Sequence, residues 1–252
     1  MLARFAAEYG IDYDMLSDVG SETIEALGLL NDHIREQQAF FGKDYKERHH
    51  RLPYPGTFVL DEDGVVVSKT FEDSYRDRPS ADYLLMDSEE SDLDPRYEAI
   101  AVDRGITLRA RVTDQTYLPL QKTMLRLRLD IADGHHIYVE PVPDGYQALE
   151  VELVRTDGVA SWEPKIPTGR PHAVEGLNER FHVLEGTVDL ALPFKVAGSG
   201  HDVVGRERAE RLDDGDVTLT AIVRYQVCTD DRCFPPSERR LAVPLVEGEL
   251  IR

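Results

Sequence analysis

Between residues 106 and 246 the chain repeats one pattern: short runs in which apolar and polar side chains alternate, cut by Gly, Pro and Asp-Gly pairs such as Asp133-Gly134. A period of two puts successive side chains on opposite faces of a strand, and a helix cannot satisfy it. The runs 107–112, 124–130, 136–139, 149–154, 187–196, 217–227 and 240–246 therefore read as strands, each burying one face, and the spacing of the breaks is that of a β-sandwich. In the run 217–227, Val217, Leu219, Ala221, Val223, Tyr225 and Val227 share the apolar face. Thr218, Thr220, Arg224, Gln226 and then Cys228 take the other, which puts Cys228 on the more polar side.

Both cysteines of the protein lie here, in Tyr225-Gln-Val-Cys-Thr-Asp-Asp-Arg-Cys-Phe-Pro-Pro236. Thr229 to Arg232 read as a hairpin turn, so Cys228 and Cys233 face each other across two strands, near the ~5.5–6 Å Cα separation that a disulfide prefers. Pro235 and Pro236 lack a ladder donor and place the returning segment at a sheet edge, open to a visiting protein. Three chemistries compete for the pair. A zinc centre needs about four Cys or His ligands, and the nearest histidine in sequence, His201, is far off. A structural staple across so short a loop contributes only ~2 kcal/mol by chain entropy. Thiol–disulfide exchange needs only a reachable sulfur and a second one to displace the visitor. Asp230 and Asp231 beside the pair disfavour the thiolates, and Arg232 offsets them in part.

Charge bounds the partners. The net charge of −19 repels phosphate backbones and argues against nucleic acid. No run approaches the roughly 18 apolar residues of a membrane helix, and Met1 to Gly10 has no leader pattern, so the chain as it stands reads as a soluble, cytoplasmic protein without a membrane span. The excess acid is concentrated early, −13 over residues 1–94 against −6 over 95–252. The acidic run 87–94, closed by Pro95, reads as a solvated linker over 87–95. It divides a first segment, 1–86, from a second, 96–252.

The first segment has a different texture. Leu2, Phe5, Ala6 and Tyr9 keep helical spacing up to Gly10; 11–17 reads as a short strand; Asp18 or Ser21 caps a helix through Ile24, Leu27 and Leu30. A polar stretch, 33–51, follows. Runs 57–61 and 65–71 flank Glu62-Asp63-Gly64, a hairpin signature. These elements make at least a small α/β module.

Two resemblances sharpen the reading. Phe5-Ala-Ala-Glu-Tyr-Gly10, Met15-Leu-Ser-Asp18 and Pro55-Gly-Thr-Phe-Val-Leu-Asp-Glu-Asp-Gly64 resemble the C-terminal half of a peroxiredoxin of the alkyl hydroperoxide reductase and thiol-specific antioxidant type, a thioredoxin-like family. That resemblance implies an incomplete thioredoxin-like segment, with Pro55 where the superfamily keeps a cis-proline. The family's Thr-x-x-Cys nucleophile has no counterpart, since no cysteine precedes Cys228, and peroxidase chemistry without a thiolate is excluded. Stripped of the central strands, the segment is expected to be a piece of a longer chain or a remnant that leans on another surface. From about 105 to 250, Ile131-Ala-Asp-Gly-His-His-Ile-Tyr138, Gly186-Thr-Val-Asp-Leu-Ala-Leu-Pro193 and the Tyr-Gln-x-Cys...Cys-x-Pro-Pro signature resemble the N-terminal immunoglobulin-like domain of DsbD, the bacterial thiol:disulfide interchange protein.

This second resemblance implies that Cys228 and Cys233 shuttle electrons between thioredoxin-like or other redox proteins, in a periplasmic setting. It also implies a cap loop over the disulfide, around 175–182, with Phe181 as its aromatic; a core phenylalanine at a strand start is the alternative. The expected fold class is thus α/β plus all-β. The expected function is thiol–disulfide exchange through Cys228 and Cys233, an oxidoreductase chemistry with no metal, flavin or nucleotide cofactor. The rival is a non-catalytic protein-interaction sandwich with a structural disulfide and a vestigial redoxin domain, and a third reading gives that redoxin remnant an assembly role. His49-His50 and His135-His136 read as ordinary solvated or strand-split pairs rather than ligand sites.

Overall fold

Strands that bury alternate residues need a second apolar surface, and in this chain three small sheets supply it to one another. The computed structural model describes residues 2–40, 42–72, 78–84, 98–173, 180–197, 203–204, 207–208 and 215–248. By contacts the chain divides into two units, Met1–Tyr75 and Arg76–Arg252. The linker expected at 87–95 lies outside the described residues. The expected first segment ran to residue 86, but β3 (Arg78–Pro79) and α4 (Ala81–Leu84) pack with the second unit: Arg78 and Pro79 pair in parallel with Gln121 and Lys122, and Asp82 Oδ1 accepts from Arg126 Nη2 at 2.5 Å.

The second unit is all-β. Its largest sheet runs β10 (Val159–Ser161), β13 (Thr187–Val196), β7 (Gln121–Ile131), β5 (Ile106–Val112), β4 (Glu98–Asp103). Another runs β6 (Thr116–Tyr117), β18 (Ser237–Glu247), β16 (Val217–Tyr225), β9 (Glu150–Leu153), and a third β11 (Arg170–Ala173), β12 (Arg180–Leu184), β8 (His136–Val139), β17 (Val227–Cys228). A minor ribbon joins β14 (Val203–Val204) to β15 (Glu207–Arg208). All seven expected strands are found within these. One continuous core takes Leu108, Leu127, Leu129 and Leu192 from the first sheet, Leu219, Val223 and Leu241 from the second, and Ile137, Val139 and Val227 from the third. The predicted apolar face of 217–227 lies in this core throughout. The run is not one strand, however. It breaks at Gln226, where the chain leaves the sheet it shares with β18 and β9 and pairs with β8 in another.

In the first unit α1 (Leu2–Tyr9) ends at Gly10 with φ +64°, as the glycine cap requires. No strand forms over 11–17. Asp12 and Asp14 are poor strand formers, and the Ile11 N–H is taken by Ala6 O of the preceding helix at 2.9 Å. The next helix, α2 (Glu22–Ala26), is shorter than its apolar spacing suggests. Asp18 caps it, its carboxylate accepting from the Thr23 and Ile24 N–H groups, whereas Ser21 makes no side-chain cap bond. Leu30 forms a bridge with Pro53, and the polar stretch carries an unforeseen α3 (Ile34–Phe40) and a 3₁₀ turn at Glu47–His49.

The hairpin is present as β1 (Gly56–Leu60) and β2 (Val66–Phe71), a sheet of two strands. The Tyr54–Pro55 bond is not cis, against the expectation; among the described residues the cis bond is Glu140–Pro141. Pro55 O accepts from the Glu72 N–H at 2.9 Å, so the proline sits at the open end of the two-stranded ladder, next to the Gly56–Phe71 pair. No helix among the described residues is long and apolar enough to cross a membrane.

Two measurements probe this packing. Leu127 is fully buried at the centre of β7; Leu127→Ala is expected to cost about 2–5 kcal/mol in urea unfolding. Asp103, at the end of β4, accepts from Tyr225 Oη at 3.2 Å and the Arg104 N–H at 2.9 Å and pairs with Arg239 Nη2 at 2.8 Å. Burial works against its charge, yet the Ser237 hydroxyl, the Arg104 amide, the Arg239 guanidinium and Tyr225 together hold the carboxyl below its ordinary 3.8. A depressed folded pKa stabilises the fold above the unfolded value and is lost as pH falls through the folded one. Asp103→Asn is therefore expected to lower stability at pH 7 by about 1–3 kcal/mol, with the gap to wild type closing below pH 3.8.

Candidate redox site

The change of sheet at Gln226 builds the site. Tyr225 points into the core, and its hydroxyl is tied to Asp103. Gln226, itself buried, spends both ends of its amide: Oε1 accepts from the Gln147 N–H at 3.1 Å, and Nε2 donates to Phe234 O at 2.9 Å. The second bond holds the return of the hairpin. Thr229 N–H to Arg232 O, at 2.8 Å, and Phe234 N–H to Val227 O, at 2.9 Å, flank the cysteines above and below. Cys228 and Cys233 are thus a non-hydrogen-bonded antiparallel pair, the class with the closer Cα atoms. They form a disulfide with Cα atoms 4.0 Å apart, nearer than the typical separation expected from sequence. Among the described residues β17 is the last strand of this sheet, in keeping with the edge position that Pro235 and Pro236 imply.

The two sulfurs have unequal surroundings. Cys233 is exposed, but Cys228 is fully buried, which corrects both the polar face and the open access expected for it. The outer face of the third sheet is not polar here, because cross-strand neighbours roof it: Tyr138, Phe181, Val183 and Cys228 form a second apolar cluster, with Val142 and Tyr146 against it. The Tyr138 ring lies 4.9 Å from Phe181 and 5.3 Å from Tyr146, and Phe181 lies 5.0 Å from Tyr146. Phe181 is therefore a strand residue of β12, paired with His172 of β11, and serves as part of the roof over Cys228. Of the cap loop expected at 175–182, residues 175–179 lie outside the described residues.

Tyr138 joins the roof to the chemistry. Its hydroxyl sits 3.2 Å from Cys233 Sγ, and since a disulfide sulfur carries no proton, the phenol is the donor. Burial, with Tyr146 adding to it, pushes that phenol up to about 12, so it keeps its proton at any physiological pH. On the open side Arg232 stacks on the Phe234 ring at 4.6 Å, leaving its charge beside the hairpin. His136 is the cross-strand partner of Cys228. Burial first, and then His172, holds its imidazole below the ordinary range. Sequence reasoning gave no role to Tyr138 or Tyr146, read His136 only as half of a strand-split pair and placed Gln226 only on a polar face. For Gln226 the signal was there in the motif; the other three depend on which strands become neighbours.

A β-sandwich carrying an edge disulfide, one sulfur sealed and one exposed, defines the class of protein. The model of the family "Thiol:disulfide interchange protein DsbD, N-terminal" matches residues 108–245, more than half of the chain, and the chain belongs to that family. The AhpC/TSA family model matches residues 1–69. No curated protein matches the chain. Among solved structures, the N-terminal periplasmic domain of ScsB from Proteus mirabilis is 12% identical, with 58% of this chain and 51% of that one covered and a TM-score of 0.39. The chain thus spans about half the length of that ScsB domain. The reduced DsbD N-terminal domain of Neisseria meningitidis is 16% identical over 60% of this chain and 88% of that one, with a TM-score of 0.31.

The unequal burial gives a direct test. After reduction of the disulfide, a short pulse of iodoacetamide read by peptide mass spectrometry is expected to label Cys233 at least tenfold faster than Cys228. Equal labelling would mean that the roof over Cys228 does not hold.

Proposed function

We propose that this protein exchanges electrons with partner proteins through the Cys228–Cys233 disulfide. The observation that carries the reading is the unequal exposure of the two sulfurs at the edge of the third sheet. A partner's thiolate attacks Cys233 Sγ, a partner–Cys233 bond forms, the Cys228–Cys233 bond breaks, and the electron pair leaves on Cys228 as a thiolate. The partner's second thiolate then attacks its own sulfur in the mixed disulfide and releases Cys233. The partner is left oxidised and this chain carries a dithiol; the reverse sequence reduces an oxidised target. Family membership favours a thioredoxin-like protein on at least one side of the exchange. The Tyr138 hydroxyl, already directed at Cys233 Sγ, supports the anionic form of that sulfur when it is the leaving group.

Two experiments separate this from a sandwich whose disulfide is only structural. Equilibration against thioredoxin or glutathione is expected to give a potential in the range of about −270 to −180 mV, and a value below about −300 mV would identify an inert bond. With Cys228→Ser, the remaining Cys233 is expected to form a lasting mixed disulfide, seen on a non-reducing gel, with a thioredoxin-like partner that keeps only its attacking cysteine and carries thionitrobenzoate on it as the leaving group. Cys233→Ser, which leaves only the sealed sulfur, should trap at least tenfold less. Equal trapping by the two variants would reject Cys233 as the point of attack.

A further inference from the structure

On the same outer face as the disulfide lies a group of side chains that electron exchange does not use. His136 of β8, His172 of β11 and Asp230 of the cysteine turn bring one ligand atom each to within 4.8 Å of one another. The His136 and His172 rings are 4.5 Å apart between centroids. His136 is 2% exposed, and its Nε2 is buried with no hydrogen-bond partner among the described residues. A buried ring nitrogen is ordinarily satisfied, and one left open beside a second imidazole and a carboxylate has the composition of a ligand set.

We propose that His136, His172 and Asp230 bind a Zn²⁺ ion. Two imidazole nitrogens and one carboxylate oxygen suit a borderline divalent ion, whereas Ca²⁺ and Mg²⁺ call for shells of oxygen. Ligands in a tetrahedral zinc shell stand roughly 3.3–3.5 Å apart, as bonds of about 2.0–2.2 Å dictate. Closing from the present spacing takes small movements of the half-buried His172 and of Asp230, which is exposed in its turn. Three protein ligands leave a fourth position for water or a visiting group. The charged neighbours do not oppose the ion strongly: Arg170, the cation that faces the histidines, is held by both oxygens of Glu185, and that carboxylate also faces them. The site departs from the metal-free reading of the sequence, and it stands apart from the redox proposal because none of its ligands is a cysteine.

The test uses the full chain with its disulfide intact, stripped with a chelator and titrated calorimetrically with zinc chloride at neutral pH. One equivalent is expected to bind with a dissociation constant in the micromolar range or tighter, while magnesium chloride gives no saturable heat. His172→Ala and Asp230→Asn, both away from the packed core, are expected to keep the wild-type circular dichroism and melting profile and to weaken zinc binding at least tenfold each. Nitrogen-15 spectra of the imidazoles should show ring nitrogens of both His136 and His172 shifting on saturation. Absence of saturable zinc binding, undiminished binding in both variants, or unmoved histidine signals would overturn the proposal. Because no thiol takes part, failure of disulfide exchange would leave this result unaffected, and the converse holds too.

Discussion

The buried amide of Gln226 is the point on which the site depends. The preceding strand is committed to the core by Val217, Leu219, Ala221, Val223 and Tyr225, of which a valine or leucine contributes about 1.5–3 kcal/mol when fully buried, and the next two residues must pair in a different sheet. A backbone that changes partners exposes donors and acceptors at the crossing, and their loss in a dry interior is costly. Gln226 meets that need from the side chain, bonding to Gln147 on one side and Phe234 on the other. The second of these bonds also ties down the return of the hairpin, so one residue serves the crossing between sheets and holds the segment that carries Cys233.

From that placement follows the asymmetry of the disulfide. Cys228 is carried under a roof of Tyr138, Phe181 and Val183, while Cys233, bridged to it from outside the strands, is exposed. Attack on a disulfide falls on one sulfur at a time, and of these two Cys233 is exposed and Cys228 is buried. The aromatic rings that close off Cys228 also dry the Tyr138 hydroxyl, which keeps its proton and stays a donor toward Cys233. Shielding and polarisation thus come from the same side chains.

The first unit shows how far local chemistry carries a motif. Its hairpin follows the local chemistry of Asp63-Gly64, with Asp61 accepting from the Val65 N–H at 2.8 Å across the turn. A two-stranded ribbon is marginal by itself, and Phe58 and Leu60 on β1 and Val66 and Val67 on β2 remain exposed. The residues at 11–17, spaced as a strand, pair with no strand among the described residues and stay irregular. Local propensity was sufficient for the hairpin and not for the lone strand, because a strand is stabilised only in pairs.

The alternation from residue 106 onward determined the strands, the buried face of 217–227 and the all-β class, since a period of two leaves no other way to bury those side chains. The hairpin pairing of Cys228 with Cys233 was equally legible, because both cysteines and the turn between them lie within six residues. The break at Gln226, the burial of Cys228 and the meeting of His136 with His172 and Asp230 were decided only by the tertiary structure. Each depends on which strand becomes the neighbour of which, and the sequence pattern states a strand's faces but not what will cover them.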